Sequence, residues 1–561
     1  MVKKQKQTSL DVFDANVCKS INDLDGYLRA EYNTDTNYLE YYAGEEILKN
    51  VSSIKYQVIY GRRGTGKTHL LKALQESLLE KEEKYLPVYI DLRKYKPMLE
   101  DNNDLYYALI VFQEILVEIL RCVYENVEFI YREYKADEQF IESKRSNIRD
   151  LFHKLNRNFD GQSVSKMGEV GFKISELKKV AASLNLSKKL GMTMDGGYDQ
   201  GTETNKTQIK YISFSDMADI LEEIFRIIDL DRVFCLLDEW SEIPENSQFI
   251  LAEFIKRAFI TRKIAVKIAA IPNRTRLLGE GRIGLEDGGD IFGCSLDNRY
   301  IYELNPESTR EFFNELLFKQ LYMIAPRTYQ KFTKDQEGHP VHSFINQFLT
   351  NQALREILIA SAGIPRDFLN IFIAAYNIFY RSPKNRHIGV TDVRKATAQW
   401  YEVDKKKAVD ANVSARLLLD RIIEEILISK KRCHFLVPEK YEQNKELNDL
   451  IDLRVIHLRK KGISHKDNKG VVYNVYYLDY ACYTSQNLYH NRIITNLMDK
   501  IDHMENFRDI RRVSLEDSFF EQFNMQIGNS IKCPNCGEMV DVNHPAYVKQ
   551  KICYHCYEKI E

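Results

Sequence analysis

No run of apolar residues in this chain approaches the roughly 18 that a membrane-crossing helix needs, so helical spans are not expected. The lysine-bearing start, Met1 to Val17, has no apolar core behind its charges. A secretory leader is therefore not expected and a cytoplasmic location is. Excess charge is also missing. Against 80 Lys and Arg stand 81 Asp and Glu, a net charge of −1, so any polyanion site must come from local clustering. Internal repeats are not evident. The composition, 44% hydrophobic and 29% charged, is that of a folded protein. With 561 residues, three or four domains are expected. Six of the ten cysteines (18, 122, 235, 294, 433 and 482) are scattered among apolar neighbours and read as reduced core thiols. The other four form a set near the end of the chain.

The texture changes several times. Residues 1–55 are polar and helix-prone. Residues 56–305 alternate short apolar strands with helical segments. The strands are read at Tyr56–Tyr60, Leu86–Leu92, Arg232–Leu237, Ala265–Ile271 and Tyr300–Leu304. This alternation predicts a parallel sheet wrapped by helices, with strands apolar enough to be buried on both faces. A Gly-, Ser- and Lys-rich insertion occupies about 158–208. Residues 306–402 read as all helical, and 405–485 as helices with a strand pair. A charged helical connector spans 486–530, and 531–561 form a small cysteine module.

Gly61-Arg62-Arg63-Gly64-Thr65-Gly66-Lys67-Thr68 matches G-x-x-x-x-G-K-[ST], between a strand and a helix as that motif requires. Glycines let successive backbone N–H groups turn toward phosphate oxygens, and the helix start adds partial positive charge. Lys67 is expected on the β- and γ-phosphates and Thr68 on Mg²⁺. Downstream, the apolar strand Arg232–Leu237 delivers Asp238 and Glu239 at its C-terminal end, the rim where open α/β sheets bind ligands. Asp238 is expected to hold Mg²⁺, and Glu239 to polarise the attacking water. No acceptor-binding motif is visible, so hydrolysis is favoured over transfer. The next strand ends at Asn273, followed by Arg274 and Arg276; Asn273 could orient water or sense the γ-phosphate, or be a plain polar strand end. Gly363-Ile364-Pro365-Arg366 opens a helix, with Pro in the first turn as helix starts allow. Arg366 could reach a nucleotide from there.

Together these four elements resemble the AAA+ ATPases, specifically their origin-recognition and replication-initiator branch. GRRGTGKT and LLDE resemble its Walker A and B motifs, Asn273 stands where that family carries sensor 1, and Gly363–Arg366 is similar to its sensor 2. The resemblance covers roughly 40–485 and implies a five-stranded parallel P-loop sheet, a helical lid and a winged helix at 405–485. It also implies subunit assembly with an arginine finger given in trans, for which Arg299 is the first candidate and Arg282 the second. The expected fold class is therefore α/β, and the relative expected is a bacterial or mobile-element one.

The winged-helix region carries clustered cations: Lys430, Lys431, Arg432, Arg454, Arg459, Lys460, Lys461, Lys466 and Lys469, with Tyr473, Tyr476 and Tyr477 following. Such a local basic stripe could contact DNA phosphates, or be a solvated face. His457 and His465 read as incidental. Cys533-x₂-Cys536 and Cys553-x₂-Cys556 have the spacing of a closed four-thiolate Zn²⁺ site, expected to be structural. Three functions fit: an ATP-driven machine assembling on DNA or a nucleoprotein, a signalling or defence switch controlling an effector protein, and a regulator of transposition or recombination.

Overall fold

The computed structural model describes residues 9–30, 37–95, 104–131, 137–160, 162–163, 210–211, 214–260, 262–334, 340–341, 343–382, 386–464, 470–485, 513–542 and 544–560. Most of the 158–208 insertion, most of the 486–530 connector, and Lys466, Lys469 and His465 lie outside them. The chain divides into two compact units: Asp35–Gly61 with Lys67–Leu296, and Met1–Thr34, Arg62–Gly66 and Asp297–Glu561.

The first unit is a five-stranded parallel sheet. Its strands are β1 (Gln57–Tyr60), β2 (Tyr85–Asp91), β3 (Arg232–Asp238), β4 (Ile264–Ala270) and β5 (Phe292–Ser295), in the order β2-β3-β4-β1-β5. Helices α1 (Lys67–Leu79), α2 (Asp104–Glu125), α3 (Glu138–Asp160), α4 (Phe214–Ile227) and α5 (Glu245–Phe259) join and cover it. Every residue of β4 is buried, so the sheet centre is covered on both faces; six of its seven residues are apolar, and the exception, Lys267, is buried with its ammonium donating to the Ser53 and Lys55 carbonyls at 2.6 and 2.7 Å. The core is aromatic: Phe112 lies 5.7 Å from Phe254 and 5.9 Å from Phe259, centroid to centroid.

One expected strand is corrected. The fifth strand is Phe292–Ser295, paired with β1, not Tyr300–Leu304. β5 is short and mostly exposed, so no apolar run advertises it. Tyr300–Leu304 is apolar because it packs in a turn, where Ile301 and Tyr302 are buried and Tyr300 stacks on Phe312 at 3.6 Å.

The second unit begins with helix Ala15–Asp23, tied by Ser20 to the Tyr329 hydroxyl at 2.7 Å. Helices α6 (Pro306–Ile324), α7 (Asn351–Ala360), α8 (Pro365–Arg381) and α9 (Val390–Trp400) follow. α9 runs on into a π-helical turn, Tyr401–Lys405, a geometry that inserts an extra residue and redirects side chains. Next come α10 (Val413–Ile422) and α11 (Lys445–Asp452), whose N-caps Asn412 and Asn444 accept from the Ala415 and Leu447 amides. An antiparallel sheet of β6 (His434–Pro438), β7 (Ile456–Ser464) and β8 (Val472–Leu478), ordered β6-β8-β7, completes a winged helix. Tyr473, Tyr476 and Tyr477 are core residues of this sheet, not an exposed aromatic platform.

His434 in β6 is buried beside the Tyr477 ring. Burial and the Arg459 charge push its pKa down to about 3. Below pH 6.5 an unfolded chain therefore takes a proton that the native state refuses, and stability falls as pH falls. Denaturation midpoints should drop between pH 7 and pH 5, with about 2 kcal/mol of the loss due to His434. His434→Gln should remove that share of the slope.

The unit ends with α12 (Asp517–Gln526), a two-stranded ribbon of β9 (Ser530–Lys532) and β10 (Met539–Asp541), and α13 (Pro545–Gln550).

Candidate nucleotide and metal sites

The phosphate turn lies between β1 and α1. Gly64 and Gly66 have φ of +90° and +91°, a region that costs other residues energy. A Cβ at Gly64 would also sit 3.0 Å from both Cβ and Nε of Arg366. α1 starts at Lys67, so the unpaired amides of its first turn lie at the motif itself. The Lys67 ammonium donates to the Gly61 carbonyl at 2.6 Å. The Thr65 hydroxyl donates to the Arg62 carbonyl at 2.9 Å, closing the turn.

Within the sheet unit, the Thr68 hydroxyl donates to Asp238 Oδ2 at 2.7 Å. The two motifs, 170 residues apart, thus meet side chain to side chain. Tyr89 of β2 donates to the same oxygen at 2.8 Å, and the Glu239 N–H donates to Oδ1 at 2.9 Å. Burial pushes the Asp238 carboxyl up, against the opposing hydrogen bonds from Thr68 and Tyr89 and the charge of Lys67. Burial, then the neighbouring Asp238, also raises Glu239. Glu239 holds φ +58°, a left-handed conformation that a side-chain-bearing residue keeps only under constraint. Tyr89 had no signature in the sequence; it is one tyrosine in an ordinary strand, and only pairing of β2 beside β3 brings it to Asp238.

Asn273 is exposed in a 3₁₀ turn just after β4, the strand between β3 and β1. Arg274 is exposed and Arg276 half-buried. In the second unit, the Arg366 N–H donates to the Gly64 carbonyl at 3.2 Å. Its Nε is buried with no hydrogen-bond partner among the described residues. Burial, and then the charge of Arg454, depresses its pKa. Gly363 must be glycine: at φ +80°, a Cβ there would lie 2.7 Å from the Tyr300 carbonyl oxygen. Arg299 is half-buried in a turn, not beside a strand, and Arg282 is exposed at φ +61°.

Two sets of expectations are corrected. Arg62 was expected among the phosphate-binding residues, yet its N–H and its Nε both donate to Asp297 Oδ1, at 3.2 and 3.0 Å. Its guanidinium also meets His457, so it anchors the loop; Arg63 is exposed. Arg459 and Arg454 were expected on a basic face, but both are buried. Arg459 faces Glu303 at 3.8 Å, and Arg454 pairs with Asp367 and Asp404. A buried guanidinium needs a carboxylate, which the linear sequence does not show. Lys430, Lys431, Lys460 and Lys461 are exposed and Arg432 is half-buried. Lys430 pairs with Glu425 at 2.9 Å, and Lys461 pairs with Glu442.

In the ribbon, the thiols of Cys533, Cys536, Cys553 and Cys556 all lie within 4.8 Å of one another. The Cys533–Cys556 and Cys536–Cys553 sulfur separations are 3.8 and 3.7 Å. A tetrahedron of ~2.3 Å Zn–S bonds has edges of about 3.8 Å, so the donor set is compatible with zinc. The two knuckles repeat one geometry. Gly537 and Tyr557 each donate back to the first cysteine's carbonyl, at 3.0 and 2.7 Å, and each has positive φ.

Among the described residues, no helix is long and apolar enough to cross a membrane. A search of curated proteins finds no match. Among solved structures, a chain from the structure of Drosophila ORC bound to DNA is similar at 12% identity and a TM-score of 0.25; the match covers 84% of this chain and 98% of that one. So slight a likeness bears no weight. The profile of the ORC-CDC6-like family, by contrast, matches residues 26–480, from just after the helix Ala15–Asp23 through the last strand of the winged helix. With that match over most of its length, the chain belongs to the ORC-CDC6-like family, AAA+ proteins related to DNA-replication initiators.

Proposed function

We propose that this chain binds ATP with Mg²⁺, hydrolyses it, and uses the cycle to assemble on or remodel DNA or a nucleoprotein partner. The observation that carries the proposal is the 2.7 Å contact between Thr68 and Asp238, beside Lys67 at the start of α1. A hydroxyl and a carboxylate at that spacing are the donor set of a magnesium held against phosphates. The amides of Gly64 to Thr68 and the Lys67 ammonium bind the phosphates. Thr68 and Asp238 hold the metal, which when bound neutralises charge on the β- and γ-oxygens. Glu239 takes the proton of the attacking water, and Asn273 orients that water. Arg366, whose buried Nε has no described partner, is the side chain we assign to the γ-phosphate. Assembly in trans would add Arg299 or Arg282.

The test is a titration with a fluorescent ATP analogue, with and without Mg²⁺. Wild type should bind more tightly with the metal. Asp238→Asn should lose that gain, a difference of about 1.5–3 kcal/mol for a charge-assisted contact. Equal metal dependence in the two proteins would remove Asp238 from the site.

DNA contact is assigned to the winged helix through Lys430, Lys431, Lys460 and Lys461, with Arg432 at their edge, and to the ribbon. The ribbon is assigned one structural Zn²⁺. Its core is little more than Val540 and Tyr547 beside two of the cysteines, too small to fold alone. Stripping the metal with a chelator should open residues 530–560 to protease, read by mass spectrometry, and leave the sheet unit intact. A ribbon equally resistant with and without chelator would exclude the metal.

A further inference from the structure

The second unit contains a chain of buried charges that begins and ends at the phosphate loop. At one end Arg62, a loop residue, is gripped by Asp297 and rests on Nδ1 of His457 in β7 of the winged helix. His457 is wholly buried, and its Nε2 lies 2.7 Å from Asp479. Since Arg62 can only donate, Nδ1 must accept, and Nε2 carries the proton that Asp479 receives. Burial, and then the Arg62 charge, hold His457 neutral, which agrees with that assignment. Asp479 then takes Lys405 at 2.9 Å, and Lys405 reaches Asp367 at 3.4 Å. Asp367 binds Arg454, which also binds Asp404. The residue before Asp367 is Arg366, whose N–H returns to Gly64 of the same loop.

Two further features show that this path is built. Asp404 and Lys405 lie in the π-helical turn after α9, a geometry frequent at functional positions. Arg454 holds φ +63°, so a buried side chain sits on a constrained backbone. The charges also balance. Arg62, Lys405, Arg454 and Arg366 face Asp297, Asp479, Asp367 and Asp404, and neutral His457 joins the two halves. A triphosphate that engages Arg366 takes one cation out of this balance.

We propose that His457 and Asp297 are positioning residues for the phosphate loop, and that through Arg62 they make nucleotide binding and the seating of the winged helix one linked equilibrium. This rests on the ATP reading above. The loop cannot shift on its phosphates without moving Arg62, and Arg62 cannot move without exposing a buried acceptor on β7. By linkage, whatever stabilises β7 in its seat strengthens nucleotide binding by the same factor. A partner bound to the winged helix thereby changes ATP affinity without touching the ATP site.

The experiment is hydrogen–deuterium exchange of the full chain, with and without ATP and Mg²⁺, read at the amides of 454–464, beside the fluorescent-analogue titration. Nucleotide should slow exchange there by about tenfold in wild type. His457→Gln, whose amide can accept from Arg62 and donate to Asp479, should retain the slowing. His457→Leu should still bind the analogue but lose the slowing, a split that a merely structural histidine would not produce. If His457→Leu fails to fold, Asp297→Ala, which removes the acceptor of both Arg62 bonds at a partly exposed position, replaces it with the same expectation. Wild type that binds the analogue with no change at 454–464 overturns this inference and leaves the ATP site standing. Equal slowing in wild type and in the folded variant used, His457→Leu or Asp297→Ala, also overturns it. Wild type that does not bind the analogue at all overturns the ATP reading and this inference with it.

Discussion

Replacing Glu239 with glutamine is expected to slow phosphate release by about 10²–10⁴-fold, the usual contribution of a positioned general base, while ATP binding is retained. The residue directly follows a strand whose last carboxylate, Asp238, is already engaged by Thr68, Tyr89 and the Glu239 amide. Asp238 already accepts three hydrogen bonds and is the carboxylate we assign to Mg²⁺, which leaves Glu239, half-buried and turned by its left-handed backbone, as the base candidate. Glutamine keeps the shape and loses the base, so the variant should accumulate in the ATP-bound state. Lys67→Ala is the contrast. It removes the ammonium that we assign to the phosphates and should abolish analogue binding itself. Phosphate-release assays and analogue titration on the two variants separate the roles. Turnover by Glu239→Gln equal to wild type would take the base assignment away.

The second large effect is on stability. Asp479→Asn should destabilise the second unit by about 3–5 kcal/mol, because it takes from a buried cation the nearer of its two carboxylates and leaves only Asp367, 3.4 Å away. Asp479 and Lys405 are both essentially inaccessible to solvent and lie 2.9 Å apart. Burial alone would raise the Asp479 carboxyl, but Lys405 and His457 hold it well below the usual carboxylate range. Asparagine cannot supply that charge. Removing both members of the pair, Lys405→Met with Asp479→Leu, should recover only part of the loss, since it lifts the unpaired cation but leaves the buried His457 Nε2–H and the Ala481 N–H without their acceptor. Urea denaturation of wild type, the single variant and the double variant measures this. Equal midpoints for wild type and Asp479→Asn would mean that water reaches the pair.

The candidate nucleotide site was legible because its parts are local. A glycine-rich turn between a strand and a helix, and a carboxylate pair at a strand end, each need only a few consecutive residues of fixed type. The ribbon was legible for the same reason, as two four-residue knuckles a fixed distance apart. The edge strand β5 was not, since an exposed edge need not be apolar, whereas the turn at Tyr300–Leu304 carries apolar residues because Ile301 and Tyr302 are buried.

The linear chain by itself therefore determined the α/β class, the glycine-rich turn Gly61–Thr68, the strand-end carboxylates Asp238 and Glu239 and the four clustered thiols. Tertiary structure alone decided what the cations do. Arg62 and His457, 395 residues apart, are in contact. Arg454 and Arg459 turn inward to carboxylates, while Lys460 and Lys461 stay outside. A positive side chain has the same letter whether it faces water, a phosphate or a buried aspartate. Its role is set by which opposite charge the fold brings within a few ångströms, and that is a property of distance in space, not of position along the chain.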